Sequence, residues 1–160
     1  MKAGIYILLA VLLILGLVIG YYMATVSTPI QKGNLQVKSA DVVLTIVPDV
    51  KLGPDGQMHD AFNPTNLTVY TGQIVNLTII NYDTMSHTFT SPSIGVSFNA
   101  PGATKDGVPT VTHYQFTVSK SGVYRWWCAT PCDAWAMSTG SDGQIGQIGY
   151  MGGYVTVLSP

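Results

Sequence analysis

Val111-Thr112-His113-Tyr114-Gln115-Phe116-Thr117-Val118 alternates side chains one by one, with Tyr114, Phe116 and Val118 on one side and His113, Gln115 and Thr117 on the other. A period of two is the mark of a half-buried antiparallel strand. Lys120-Ser121-Gly122 follows as a turn signal, and a second strand pattern runs on to Cys128. Working outward, strand candidates fall at 42–47, 66–70, 74–81, 87–90, 111–118, 122–128 and 153–158, with Tyr70-Thr71-Gly72-Gln73 as another turn between two of them. Seven short strands punctuated by turns predict an all-β sandwich of two sheets. Gly, Pro, Thr, Val and Tyr dominate after the first thirty residues, the usage of an all-β domain rich in turns. Two segments interrupt the rhythm: a Pro-, Gly-, Ser- and Asn-rich loop at 92–110, and a Gly-rich excursion at 138–149. Long loops within a compact domain are usually functional or mobile.

The chain has 160 residues, enough for one domain and an anchor. Residues 4–23 carry no charge; about 20 apolar residues at a rise of ~1.5 Å cross a hydrocarbon core of roughly 30 Å. Lys2 precedes the run, and Tyr21 and Tyr22 stand where an interfacial aromatic belt would lie. The run exceeds the apolar region of a cleaved signal peptide, and Tyr22-Met23-Ala24 is a poor cleavage site. The expected organisation is a transmembrane anchor over 1–24, a polar linker over 25–40 and a β domain over 41–160, with the domain on the outer side of the cell membrane. The sequons Asn66-Leu67-Thr68 and Asn76-Leu77-Thr78 agree with that side. Only 9% of residues are charged and the net charge is −1, which leaves no basic face for nucleic acid. The order of residues shows no Ser-His-Asp arrangement and no clustered carboxylates.

Chemistry concentrates around two cysteines in Trp126-Trp127-Cys128-Ala129-Thr130-Pro131-Cys132-Asp133. A disulfide is one reading of the pair, although closing so small a loop stabilises little and Pro131 constrains it. The other is a pair of thiolates holding a soft, redox-active metal, which calls for imidazole and thioether partners. Spacing alone does not choose between them.

Four stretches carry a family resemblance, in order along 59–157. Gly122-Val123-Tyr124-Arg125-Trp126-Trp127-Cys128 resembles the cupredoxin strand that ends in the copper-ligating cysteine, and Met151-Gly152-Gly153-Tyr154-Val155-Thr156-Val157 resembles the ending that bears the axial methionine. Asn81-Tyr82-Asp83-Thr84-Met85-Ser86-His87-Thr88-Phe89 is similar to the loop of the first histidine ligand. Ala61-Phe62-Asn63-Pro64, Asn66-Leu67-Thr68-Val69 and Thr71-Gly72-Gln73 match the early strand and turn. The resemblance implies a cupredoxin-like Greek-key sandwich and copper as cofactor, held by His87, Cys128, Cys132 and Met151.

Within that family the Cys-x-x-x-Cys spacing resembles the dinuclear copper centre of cytochrome oxidase subunit II, whose single-anchor forms share this layout. That implies one-electron transfer with a terminal oxidase core or another membrane redox protein as partner. The chain departs from the motif: Ala136 stands where the second histidine belongs, and no histidine follows His113. If Met151 is aligned as the axial ligand instead, the same place falls on Ile148. His59, three residues before Phe62, is the expected replacement from another loop, while His113 reads as an ordinary strand residue. Asp133 and Met137 are secondary candidates, with Asp133 expected to cap its loop. Trp126, Trp127 and Trp135 are expected to shield the centre, Trp126 serving equally as ordinary core. Two rival roles use the same residues: a copper-carrying or copper-delivering protein, and a metal-free structural oxidase subunit with a Cys128–Cys132 disulfide.

Overall fold

The computed structural model describes residues 14–17, 21, 39–104 and 108–160. The chain divides into two compact units, Met1–Leu35 and Gln36–Pro160. Most of the expected anchor over 4–23, and the linker up to residue 38, lie outside the described residues; residues 14–17 and 21 are helical. No helix among the described residues is long and apolar enough to cross a membrane.

The second unit is all-β, as the strand periods predict. Its strands are β1 (Ala40–Leu52), β2 (Met58–Asn63), β3 (Asn66–Tyr70), β4 (Ile74–Asn81), β5 (His87–Ser91), β6 (Val96–Ala100), β7 (Thr110–Thr117), β8 (Gly122–Trp127) and β9 (Gly152–Leu158). One sheet has the order β2-β1-β4-β7 and the other β3-β9-β8-β5-β6. The pairs β1–β4 and β3–β9 are parallel; the others are antiparallel. The stretch Val111–Val118 supplies β7, paired antiparallel with β4 and alternating inward and outward as its sequence requires.

Two strands stand where none is expected. In the expected loop over 92–110, a 3-10 turn at Pro92–Ile94 leads into β6, which pairs with β5. Gly95 makes that connection possible with a φ of 70°, a conformation that costs glycine little. β2 pairs with the second half of β1, which continues well past residue 47 after an irregularity between Val47 and Lys51. There Asp49 takes a φ of 47°, and its N–H donates to Asp60 Oδ1 at 3.0 Å. Asn and Asp tolerate that left-handed geometry better than most residues.

The inward faces meet in one core around Trp126, which is fully buried. Its ring stacks on Phe89 at 4.6 Å and meets Phe62 edge-on at 4.9 Å, while Nε1 donates to the Thr65 carbonyl at 3.1 Å. Trp126 is therefore core. Leu44, Ile46, Leu77, Ile79, Val69 and Val155 complete the centre from both sheets.

Pairing also fixes where the ligand candidates gather. β5 and β8 run antiparallel through Thr90 and Trp127, and β8 and β9 through Trp127 and Gly152. The start of β5, the end of β8 and the start of β9 thus share one end of the second sheet. Gly153 is closely overlaid at that end, where an added Cβ would fall on the Thr65 carbonyl. Gly153→Ala is expected to lower stability by about 1–3 kcal/mol through overpacking, whereas Val123→Ala, at an exposed site, stays near the wild type. Urea denaturation of the two variants measures the difference.

Candidate metal centre

His87 opens β5 and is fully buried. The loop before it is tied down by Asn81, whose Nδ2 reaches the carbonyls of Met85 (2.9 Å), Ala100 (3.2 Å) and Pro101 (3.0 Å), and whose Oδ1 accepts from the Asp83 N–H at 2.9 Å. This places Asp83 Oδ2 at 2.7 Å from His87 Nε2. A carboxylate on one ring nitrogen fixes the tautomer and leaves the other nitrogen as the donor. That other nitrogen, Nδ1, lies 3.8 Å from Cys128 Sγ.

Cys128 follows β8 directly and is also fully buried. Its backbone N–H donates to the Met151 carbonyl at 2.8 Å, and its sulfur accepts the Thr88 N–H at 3.4 Å. Thr130 turns the chain, its hydroxyl donating to the Ser86 carbonyl at 3.1 Å and standing 3.3 Å from Cys128 Sγ. Cys132 Sγ then returns to 3.3 Å from Cys128 Sγ. Both cysteines are free. The donor atoms of His87, Cys128 and Cys132 all lie within 4.8 Å of one another.

The two thiols titrate as a pair. The hydrogen bond from Cys132 holds Cys128 far below an ordinary thiol, against the opposing effect of burial, with help from His87 and Thr130. The same contact, with burial and the Cys128 charge, pushes Cys132 upward. Burial opposes the charged form of His87, but the Cys128 and Asp83 hydrogen bonds outweigh it and raise its pKa.

His59 does not join this group. It is buried at the same end, yet Nδ1 faces Asp133 at 3.0 Å and Nε2 faces Asp55 at 2.9 Å. Both ring nitrogens are thus taken up by carboxylates rather than by the cysteines. His59, the expected replacement for the missing histidine ligand, is not among the donor atoms that gather with Cys128 and Cys132 in this structure. Instead His59 stacks on Trp135 at 4.4 Å, and its partner Asp133 neighbours Cys132 in the chain. His113 lies on the outer face of β7, with Nδ1 at 3.0 Å from the Thr78 hydroxyl, as an ordinary strand residue would.

The carboxylates prove to cluster in space, although the order of residues gave no sign of it. Asp60, Asp83 and His87 place donor atoms within 4.8 Å of one another, all buried. Burial pushes the Asp60 carboxyl up to about 6, opposed by its bond from the Asp49 N–H. Asp133 caps its own turn as expected, accepting the Ala136 N–H at 2.9 Å.

Of the methionines, Met151 is fully buried and enters the site through its carbonyl. Met137 enters through sulfur, with Sδ 3.3 Å from Cys132 Sγ and 3.3 Å from the Cys132 nitrogen. Sequence signals for Met137 were limited to its closeness to Cys132. Arg125 is a further participant that the motif does not single out. Its buried guanidinium donates to Asp142 at 2.8 Å and to the Trp126 and Gly146 carbonyls, clamping the Gly-rich excursion to β8.

The donor chemistry fits copper: two sulfurs and one imidazole, the set that soft and borderline metals prefer. No protein-family model and no curated protein sequence matches the chain. Among solved structures it is similar to a multicopper oxidase from Pseudomonas thermotolerans, at 15% identity and a TM-score of 0.49, over 76% of this chain and 30% of that one. A likeness this distant identifies no ligand and no activity.

The paired carboxylates at His59 have a pH consequence. Burial lowers the pKa of His59, but the hydrogen bonds to Asp55 and Asp133 more than reverse this, so its folded pKa stands above the ordinary value near ~6.5. The resulting stabilisation is complete below pH ~6.5 and is lost as pH rises through the folded value. Chemical denaturation of the metal-free protein across pH 5–9 is expected to show this alkaline decline, and His59→Gln is expected to flatten it.

Proposed function

We propose that the β domain is a cupredoxin-type copper protein that exchanges single electrons, with His87, Cys128 and Cys132 as its core donors. The observation that carries this reading is the convergence of one imidazole nitrogen and two sulfurs within 4.8 Å at a buried strand end. Copper bound there would supply a one-electron couple. The chain's own contribution is positional. Asp83 orients His87, the Thr88 N–H donates to Cys128 Sγ, and burial keeps water from the Cys128 sulfur. A preorganised donor set of this kind lowers the rearrangement that accompanies a change of charge.

The proposal extends to attachment through residues 4–23 and to a terminal oxidase core or other membrane redox complex as partner. What supports the attachment is the uncharged run with its flanking lysine and tyrosines; what supports the partner is the Cys-x-x-x-Cys resemblance. Two measurements test the reading. Copper-loaded protein is expected to show sulfur-to-copper charge-transfer absorption that is lost in Cys128→Ser; a colourless protein with a stable Cys128–Cys132 disulfide would instead favour a structural subunit. Full-length protein expressed in cells is expected in the membrane fraction with residues 4–23 retained, and mature protein beginning near Thr25 by mass spectrometry would end the anchor reading.

A further inference from the structure

Two methionines compete for the place of thioether donor, and they meet the cysteines differently. Met151 gives its carbonyl to the Cys128 N–H at 2.8 Å, and its side chain is wholly buried in the core cluster that also holds Cys128. Met137 presents its sulfur at 3.3 Å from Cys132 Sγ. Thioethers are weak hydrogen-bond acceptors and usually serve to fill apolar space. A thioether set beside a thiol that itself faces a second thiol is a donor arrangement.

The position of Met137 is built. Its N–H donates to the Asp133 carbonyl at 2.9 Å, closing a turn that the Asp133 carboxylate caps at Ala136. That carboxylate is held in turn by the Asp60 N–H and His59 Nδ1, each at 3.0 Å. From the other side the Gln147 N–H donates to the Ala136 carbonyl at 2.6 Å. The Met137 turn is thus fixed to β2 and to the Gly-rich excursion at once.

We infer that Met137, rather than Met151, is the thioether donor of the centre, which makes the set one imidazole and three sulfurs and selects copper(I). This rests on the copper reading above. Adjacent donors are separated by 3.8 Å (His87 to Cys128), 3.3 Å (Cys128 to Cys132) and 3.3 Å (Cys132 to Met137). Each separation is below the ~4.6 Å that two metal–sulfur bonds of about 2.3 Å can span. Thiolate and thioether donors are those that select copper(I), and only one borderline nitrogen is present to favour the oxidised ion. The turn after Cys132 therefore delivers a third sulfur to the group.

The test uses the full-length chain loaded with copper(I). X-ray absorption counts sulfur neighbours, and competition with a copper(I) chelator reads affinity. Met137→Leu is expected to lose one sulfur from the wild-type complement and to weaken copper(I) binding by roughly tenfold or more. Met151→Leu is expected to keep the full sulfur count. Selenomethionine-labelled Met151→Leu gives a reading that does not depend on the fold of the Met137 variant: copper–selenium scattering persists if Met137 is the donor, and its disappearance overturns the assignment. Wild-type sulfur count and affinity in Met137→Leu overturn the assignment while leaving the copper reading intact. A wild-type chain that takes up no copper overturns both.

Discussion

The carboxylate of Asp133 ties the cysteine loop to β2, alongside the stacking of Trp135 on His59. It accepts the Ala136 N–H of its own turn, the Asp60 N–H of β2 and the His59 ring, all within about 3 Å. Removing that one acceptor would leave the buried His59 ring and two amide donors short of partners, a cost that exceeds the worth of any single bond. The turn so fixed carries Cys132 at one end and Met137 at the other. The sheets determine where Cys128 and His87 lie, and the Asp133 network determines where Cys132 and Met137 lie relative to them. Burial disfavours the charged form of Asp133, yet its amide and imidazole partners hold its pKa below the ordinary carboxylate range.

A second buried charge organises the other flank. Arg125 comes from a strand position whose side chain would otherwise face the Gly-rich excursion without a partner. Its donors are taken up by Asp142 and by carbonyls of Trp126, Ile145, Gly146 and Gly153. A guanidinium presents five donors in one plane, so a single residue can fasten a loop that has almost no apolar side chains of its own. Close approach accounts for one glycine there and one beside it: a Cβ on Gly146 would meet Trp127 and the Met151 carbonyl, and one on Gly152, which opens β9, would collide with the guanidinium. The glycine content of the excursion is therefore tied in part to close approach, and the excursion is a fastened wall of the site rather than a free loop.

Much of this arrangement was legible in the sequence, and the rest was hidden for identifiable reasons. Alternation located β7, and β-branched runs located β3, β4 and β9, because those strands have one face on the core. β6 was missed because Val96-Ser97-Phe98-Asn99-Ala100 sits among Pro, Ser and Gly, and turn composition outweighed a strand whose pairing comes from β5. β2 was missed because four successive buried residues, His59 to Phe62, break the period of two. His87, Cys128 and Cys132 were legible because strand ends and short spacings are local properties. The clustering of Asp60 with Asp83 was not, since it depends on β2 coming close to the loop between β4 and β5.

The two histidines at this end differ in what their ring nitrogens face. Each is buried and each is bonded to a carboxylate four residues before it, His59 to Asp55 and His87 to Asp83. In sequence they look alike. What separates them is the second nitrogen: for His87 it faces the sulfur of Cys128, whereas for His59 it faces the carboxylate of Asp133. One carboxylate orients an imidazole and raises its basicity, leaving a lone pair for a metal. For His59 burial opposes the charged form, yet two carboxylates favour the protonated ring and raise its pKa. The second carboxylate reaches His59 across a separation of 74 residues. The role of His59 is thus decided by the fold of the cysteine loop, and it serves that loop by holding Asp133 in place.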